Sequence, residues 1–157
     1  MTYLYGPEKT NHILKNLKEL SRDRTTGAHP YWTTPAHTEQ ARQILGEDAW
    51  LCVEQKCVLT TDRAVAHEKA IEQLGFYLGF PNYVNNWLRL GFSEEEITGH
   101  APRFLDAVVA WGDIDAIRDR LQEHQDAGAS HICVQSVHPT GRFGTVDWDL
   151  LEALAPR

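Results

Sequence analysis

The chain has 157 residues, of which 15 are Lys or Arg and 22 are Asp or Glu, giving a net charge of −7; 42% are hydrophobic and 10% aromatic. This is the composition of a folded domain, and it excludes a disordered chain, a collagen and a disulfide miniprotein. No run approaches the roughly 20 apolar residues of a membrane span, Met1–Asn16 lacks an apolar signal core, and the acidic balance argues against nucleic-acid binding, so the chain is read as cytoplasmic with no membrane or nucleic-acid partner.

In chain order, Thr2–Tyr5 is a short β-prone segment, broken by Gly6-Pro7 and followed by a helix carrying Ile13, Leu17 and Leu20. Gly27–Trp32 reads as extended. Thr34 and Pro35 are N-cap and first residue of a helix that Gly46 closes. Trp50–Thr60 alternates as a strand, with Leu51, Val53, Cys57 and Leu59 on one face. A helix from about Asp62 places Ala66, Ala70, Leu74 and Leu78 on one stripe.

From Phe80 to Pro102 the pattern breaks into aromatic and acidic stretches with Gly and Pro punctuation, predicting one or two short inserted helices. Arg103–Trp111 predicts another. Asp113 caps a helix lined by Ile114, Ile117 and Leu121. His131–Val137 is a strand, and Val146–Leu154 a last short helix. Strands alternating with capped helices predict an α/β fold with a parallel sheet in a single domain, 1–157, with residues 80–111 as a helical insertion. At most four strands are counted, too few for a closed (β/α)8 barrel of eight. Three cysteines, Cys52, Cys57 and Cys133, have no CxxC spacing and read as free thiols.

Gly27–Thr38 (GAHPYWTTPAHT), Leu45-Gly46, Glu54-Gln55-Lys56, 81–87 (PNYVNNW), Leu90-Gly91-Phe92, Trp111-Gly112-Asp113 and 127–131 (AGASH) stand together in that order. In these strings the chain, from about Asn16 onward, resembles the C-terminal part of the luciferase-like oxidoreductases, and within them the branch that uses coenzyme F420. The resemblance implies a partial (β/α)8 TIM barrel of about four parallel strands, corresponding to strands five to eight. The first four strands, which carry much of the ring-binding surface, have no counterpart. Completion by homo-oligomerisation through open sheet edges is therefore expected. The implied activity is hydride transfer between F420, or alternatively FMN, and a small organic substrate. A non-catalytic half-barrel subunit is the alternative, and a metal-dependent barrel hydrolase a more distant one.

Candidate cofactor contacts are Gly6, Gly27 and Ala28, as turn residues offering backbone N–H groups to a phosphate, with His29 and Tyr31 beside a ring or its side chain. Trp32 joins this set less strongly. Gln135 and His138 end the last strand, where barrel sites lie. Candidate substrate contacts are Glu54, inside an apolar strand, and Tyr83 and Asn85 in the insertion. The alternative readings are an internal Glu–Lys pairing for Glu54 and packing or an oligomer interface for the insertion. The eight histidines lack HxH or HExxH spacing, so no metal ligand is assigned, and no GxSxG or Walker A string occurs.

Overall fold

The structure is a computed structural model that describes residues 27–155. The strand and helix expected before residue 27, and Gly6 with them, lie outside this range. Four strands are described: β1 (Gly27–Ala28), β2 (Trp50–Leu59), β3 (Val109–Gly112) and β4 (His131–Ser136). The helices are α1 (Pro35–Leu45), α2 (Arg63–Tyr77), α3 (Pro81–Arg89), α4 (Glu94–Thr98), α5 (Pro102–Val108), α6 (Ile114–Asp126) and α7 (Trp148–Leu154).

Their boundaries follow local chemistry. Thr34 accepts from the His37 N–H and Pro35 opens α1. Asp62 accepts from Ala64 and Val65, Asp113 from Ala116, and Asp147 from Leu150, so a side chain satisfies backbone donors at the start of α2, α6 and α7. Ser93 and Glu96 form a reciprocal capping box on α4.

Two local expectations are corrected. The extended run after Gly27 pairs as a strand for two residues only, because Pro30, which faces β2, has no N–H to donate to the ladder, and the run ends at Trp32, whose backbone is left-handed with φ of 56°. The helix expected over 103–111 stops at Val108, and Val109–Gly112 becomes β3. Successive β-branched residues there weaken helix and favour a strand, and Val109–Gly112 pair with Lys56–Leu59 of β2.

All three pairings run through β2 and all are parallel. β4 pairs with β2 over Cys52–Cys57, not with β3, its predecessor in the chain. Glu54 N–H donates to Pro30 O, so the chain leaving β1 lies along the β2 edge away from β4. Gly27 is required where β1 meets β2, since a Cβ there would sit 1.8 Å from Trp50 O.

β2 is buried on both faces. Leu51 and Val53 pack with Ala41 and Leu45 of α1, and Cys57 with Ile117 of α6 and Leu150 of α7. Within this apolar layer lies a polar chain. Gln55 donates through Nε2 to the Val108 and Lys56 carbonyls, and its Oε1 accepts from His124 Nε2 at 2.9 Å. His124 Nδ1 meets the Thr38 hydroxyl at 2.9 Å. Because Gln55 Oε1 can only accept, Nε2 carries a proton. On the opposite face Val58 joins Trp32, Ala70, Leu74, Trp87 and Phe104 in the largest apolar cluster. Arg42 of α1 ties the sheet's lower end together, donating to the carbonyls of Gly46, Ala49 and Gly128 and to Ser130 Oγ.

Burial, reinforced by the charge of Arg120, pulls His124 from its ordinary value to about 4. The unfolded chain therefore takes up a proton near pH 6.5 that the folded chain refuses until about pH 4. The stability this histidine supports is full above pH 6.5 and falls as the pH drops toward 4, by the order of 1 kcal/mol per pH unit. His37, also held near 4, acts in the same sense. Urea unfolding at pH 7, 5.5 and 4.5 should show this loss, and His124→Asn should make it shallower; an equal slope in the variant would remove His124 as a cause.

Candidate functional site

Alternation along β2 places Cys52, Glu54 and Lys56 on the face opposite Leu51 and Val53. Parallel register brings Cys133 beside Glu54 and Gln135 beside Lys56 on β4. The segment after β1 supplies His29, Tyr31 and Trp32 to the same face, and the C-terminal turn of α2 supplies Tyr77.

The centre is an ammonium group inside the protein. Lys56 is 1% exposed and Glu54 3%. Lys56 Nζ donates to Glu54 Oε1 at 3.1 Å, to Tyr31 Oη at 2.9 Å and to Gln135 Oε1. Each of its three donors thus has an acceptor. The rings of Tyr31, Trp32 and Tyr77 surround it, with centroids 4.5, 4.8 and 5.6 Å from Nζ. A cation in a desolvated aromatic enclosure gains from the ring quadrupoles as well as from its counter-ion. Burial lowers the Lys56 pKa, and Glu54 opposes that shift.

The second oxygen of Glu54 accepts from the backbone N–H of Trp32 at 3.0 Å. Trp32 O accepts from Trp87 Nε1 at 3.0 Å. The left-handed conformation of Trp32 is therefore held from both sides, by a carboxylate and by an indole. A bulky residue in this region costs of the order of 1–3 kcal/mol and persists only where its surroundings impose it. The indole Nε1 of Trp32 is itself buried without an acceptor.

The enclosure opens at Tyr31 and Gln135. Tyr31 Oη donates to Gln135 Oε1 at 2.5 Å and receives Tyr77 Oη at 3.3 Å. Burial, then the bond to Tyr31, pushes the Tyr77 phenol up to about 12. Gln135 also lines a cavity of about 320 Å³ at the C-terminal end of β4, with His138, Arg142, Phe143, Gly144 and Thr145. His138 Nδ1 accepts from the Thr140 N–H, which leaves Nε2–H as a donor.

Among known protein families and curated proteins, nothing matches this chain. The site therefore stands on its own geometry.

Of the residues the sequence analysis singled out, Tyr31, Glu54 and Gln135 come together around Lys56, with the His29 ring 6.3 Å from that of Tyr31. His138 lies in the adjoining cavity. Gly27 and Ala28 do not join them: Gly27 is set by its contact with β2, and Ala28 packs toward α1. Both oxygens of Glu54 are engaged internally, so the Glu–Lys pairing is the observed arrangement. Tyr83 packs on Tyr77, with centroids 4.9 Å apart, and on Trp87. Asn85 sits half-buried on α3, within the packed insertion. Lys56 entered the sequence reading only through the internal Glu–Lys pairing, and Tyr77 and Arg142 were not singled out. For Lys56 a signal existed, since it stands two residues after Glu54 in a strand and so shares its face.

Removing the Lys56 amine strands a buried carboxylate. Lys56→Met should cost about 3–5 kcal/mol, the range for breaking a buried pair on one side. Denaturant unfolding measures it, and a loss below about 1 kcal/mol would mean that Glu54 does not depend on this partner.

Proposed function

We propose that the chain is the C-terminal part of a luciferase-like (β/α)8 barrel and acts as an oxidoreductase that binds F420, or FMN, and transfers hydride to or from a small organic substrate. The observation that carries this reading is the continuity, through Gln135, of the Tyr31–Lys56 face with a cavity rimmed by Arg142 and His138. Ligand sites of open parallel sheets and of barrels lie at the C-terminal ends of strands, as this cavity does at β4. Its volume is at the lower end of the roughly 300–1,000 Å³ typical of ligand sites.

The barrel reading draws support from the pairing of β2. Neighbouring barrel strands are consecutive, and β1's continuation and β4 lie on opposite edges of β2. β3 is then a short additional strand contributed by the insertion.

The donor set fits an anionic cofactor. The Arg142 guanidinium and the His138 N–H would hold a phosphate or carboxylate tail, and the Tyr31 hydroxyl and the Gln135 amide would meet the polar edge of a ring system. When bound, the deazaflavin or flavin supplies the hydride chemistry. The protein's share is orientation, exclusion of water by the Trp32, Tyr77 and Trp87 cluster, and a fixed positive charge at Lys56 behind Tyr31.

Titration of the full chain with F420 and with FMN, followed by cofactor fluorescence and calorimetry, tests this. Micromolar binding of one of them is expected, weakened at least about tenfold by Arg142→Ala, a change worth 1.4 kcal/mol. Absence of binding by either at several hundred micromolar would overturn it. A non-catalytic subunit reading is favoured by one observation: among the described residues β4 pairs with β2 alone, which leaves its other edge to a partner. Light scattering distinguishes this, since a stable monomer would contradict obligate pairing.

A further inference from the structure

The lower part of the same sheet face carries a second group of side chains that plays no part in the Lys56 network. His29, Cys52 and Cys133 come from three adjacent chain segments, and one ring nitrogen and the two Sγ atoms all lie within 4.8 Å of one another. The thiols are 3.4 Å apart. Cys52 pairs in register with His131, and Cys133 with Glu54, so the cysteines sit diagonally across two parallel strands. The third cysteine, Cys57, is fully buried on the opposite face against Ile117 and Leu150.

We propose that His29, Cys52 and Cys133 form a binding site for a thiophilic d10 cation, with Zn2+ as its occupant and the fourth coordination position open to solvent. A tetrahedral zinc with Zn–S bonds of about 2.3 Å holds its two sulfurs about 3.8 Å apart. The observed 3.4 Å is a few tenths of an ångström from that spacing. It is more than 1 Å from the ~2.05 Å of a disulfide. The strands therefore already hold the thiols close to the separation a shared cation needs.

The hydrogen bonding of the imidazole suits the same task. His29 Nδ1 lies 2.7 Å from Cys52 O. A carbonyl oxygen only accepts, so Nδ1 carries the proton and the lone pair is on Nε2. In zinc sites the nitrogen of a histidine ligand that does not bind the metal usually donates to a carboxylate, a backbone carbonyl or water. Here that carbonyl belongs to a ligand residue, so the ring and one sulfur are set by the same peptide. His29 is exposed while both cysteines are half-buried, which leaves an entry path and room for the ring to close on the ion. Binding displaces the two thiol protons to solvent and forms two Zn–S bonds, with no change of oxidation state. His131 is not drawn in, because its ring stacks on Trp50 with centroids 6.2 Å apart. The site is independent of the cofactor proposal, since none of its three side chains lines the Gln135 cavity.

The test is equilibrium dialysis of the reduced, chelator-treated full chain against buffered Zn2+, together with optical titration by Co2+. One Zn2+ per chain at low-micromolar free metal or below is expected, with a thiolate-to-cobalt charge-transfer band. Cys52→Ser and Cys133→Ser should each weaken uptake at least about tenfold and roughly halve the band per bound cobalt, the double variant should abolish it, and His29→Gln should weaken uptake and leave a sulfur-bound cobalt spectrum. Cys57→Ser, away from the site, should change neither, and circular dichroism confirms that each variant is folded. The proposal is overturned by uptake well below one ion per chain, or by undiminished uptake in the folded Cys52→Ser/Cys133→Ser double variant.

Discussion

The structure depends on a charged group that cannot reach water. Lys56 and Glu54 stand two residues apart at the middle of the central strand, both almost fully buried. Desolvating such a pair costs several kcal/mol per ion unless hydrogen bonds use every donor and lone pair available. The protein meets that requirement from four elements at once. Tyr31 comes from the chain after β1, Tyr77 from α2, Gln135 from β4, and the Trp32 N–H from a left-handed turn that Trp87 of α3 holds from the other side. The ion pair thus specifies how these elements meet more than it adds to stability, because a hydrophobic pair of the same volume would pack without imposing an arrangement.

β2 divides the molecule by its pleat. Its odd-numbered residues serve the helical layer of α1, α6 and α7, with Gln55 and His124 as a fully bonded polar insert. Its even-numbered residues face the aromatic cluster and, further down, the His29–Cys52–Cys133 group. One face is committed to packing and the other carries nearly all the chemistry, and a slip of one residue would exchange them. That explains why the register is pinned at both ends: by the close approach of Gly27 to Trp50, and by the Ser136 and Val137 pairing at Cys57.

What the sequence disclosed follows the range of the interactions. Thr34-Pro35, Asp62, Asp113 and Gly46 act on their own neighbours, and the helices they bound were legible. The parallel α/β grammar was legible for the same reason. β3 was missed because its residues become a strand only by meeting Lys56–Leu59, about fifty positions earlier. That Tyr77 and Gln135 meet at Lys56 was not legible either: Tyr77 is 21 residues away and Gln135 is 79 away, and no local spacing links them. The cysteines show the limit most plainly. Cys52 and Cys133 are separated by 81 residues, so spacing rules built on short motifs read them as unrelated thiols.

The central claim is that Lys56 remains an ammonium ion while sealed from solvent. Lysine side-chain nitrogen NMR tests it directly, because the chain has only five lysines and Lys56→Arg identifies the resonance. The account predicts that the Lys56 ammonium protons exchange slowly with water and that its nitrogen titrates below the ordinary lysine value. A Lys56 ammonium that exchanges rapidly and titrates near the ordinary value of about 10.4 would contradict it.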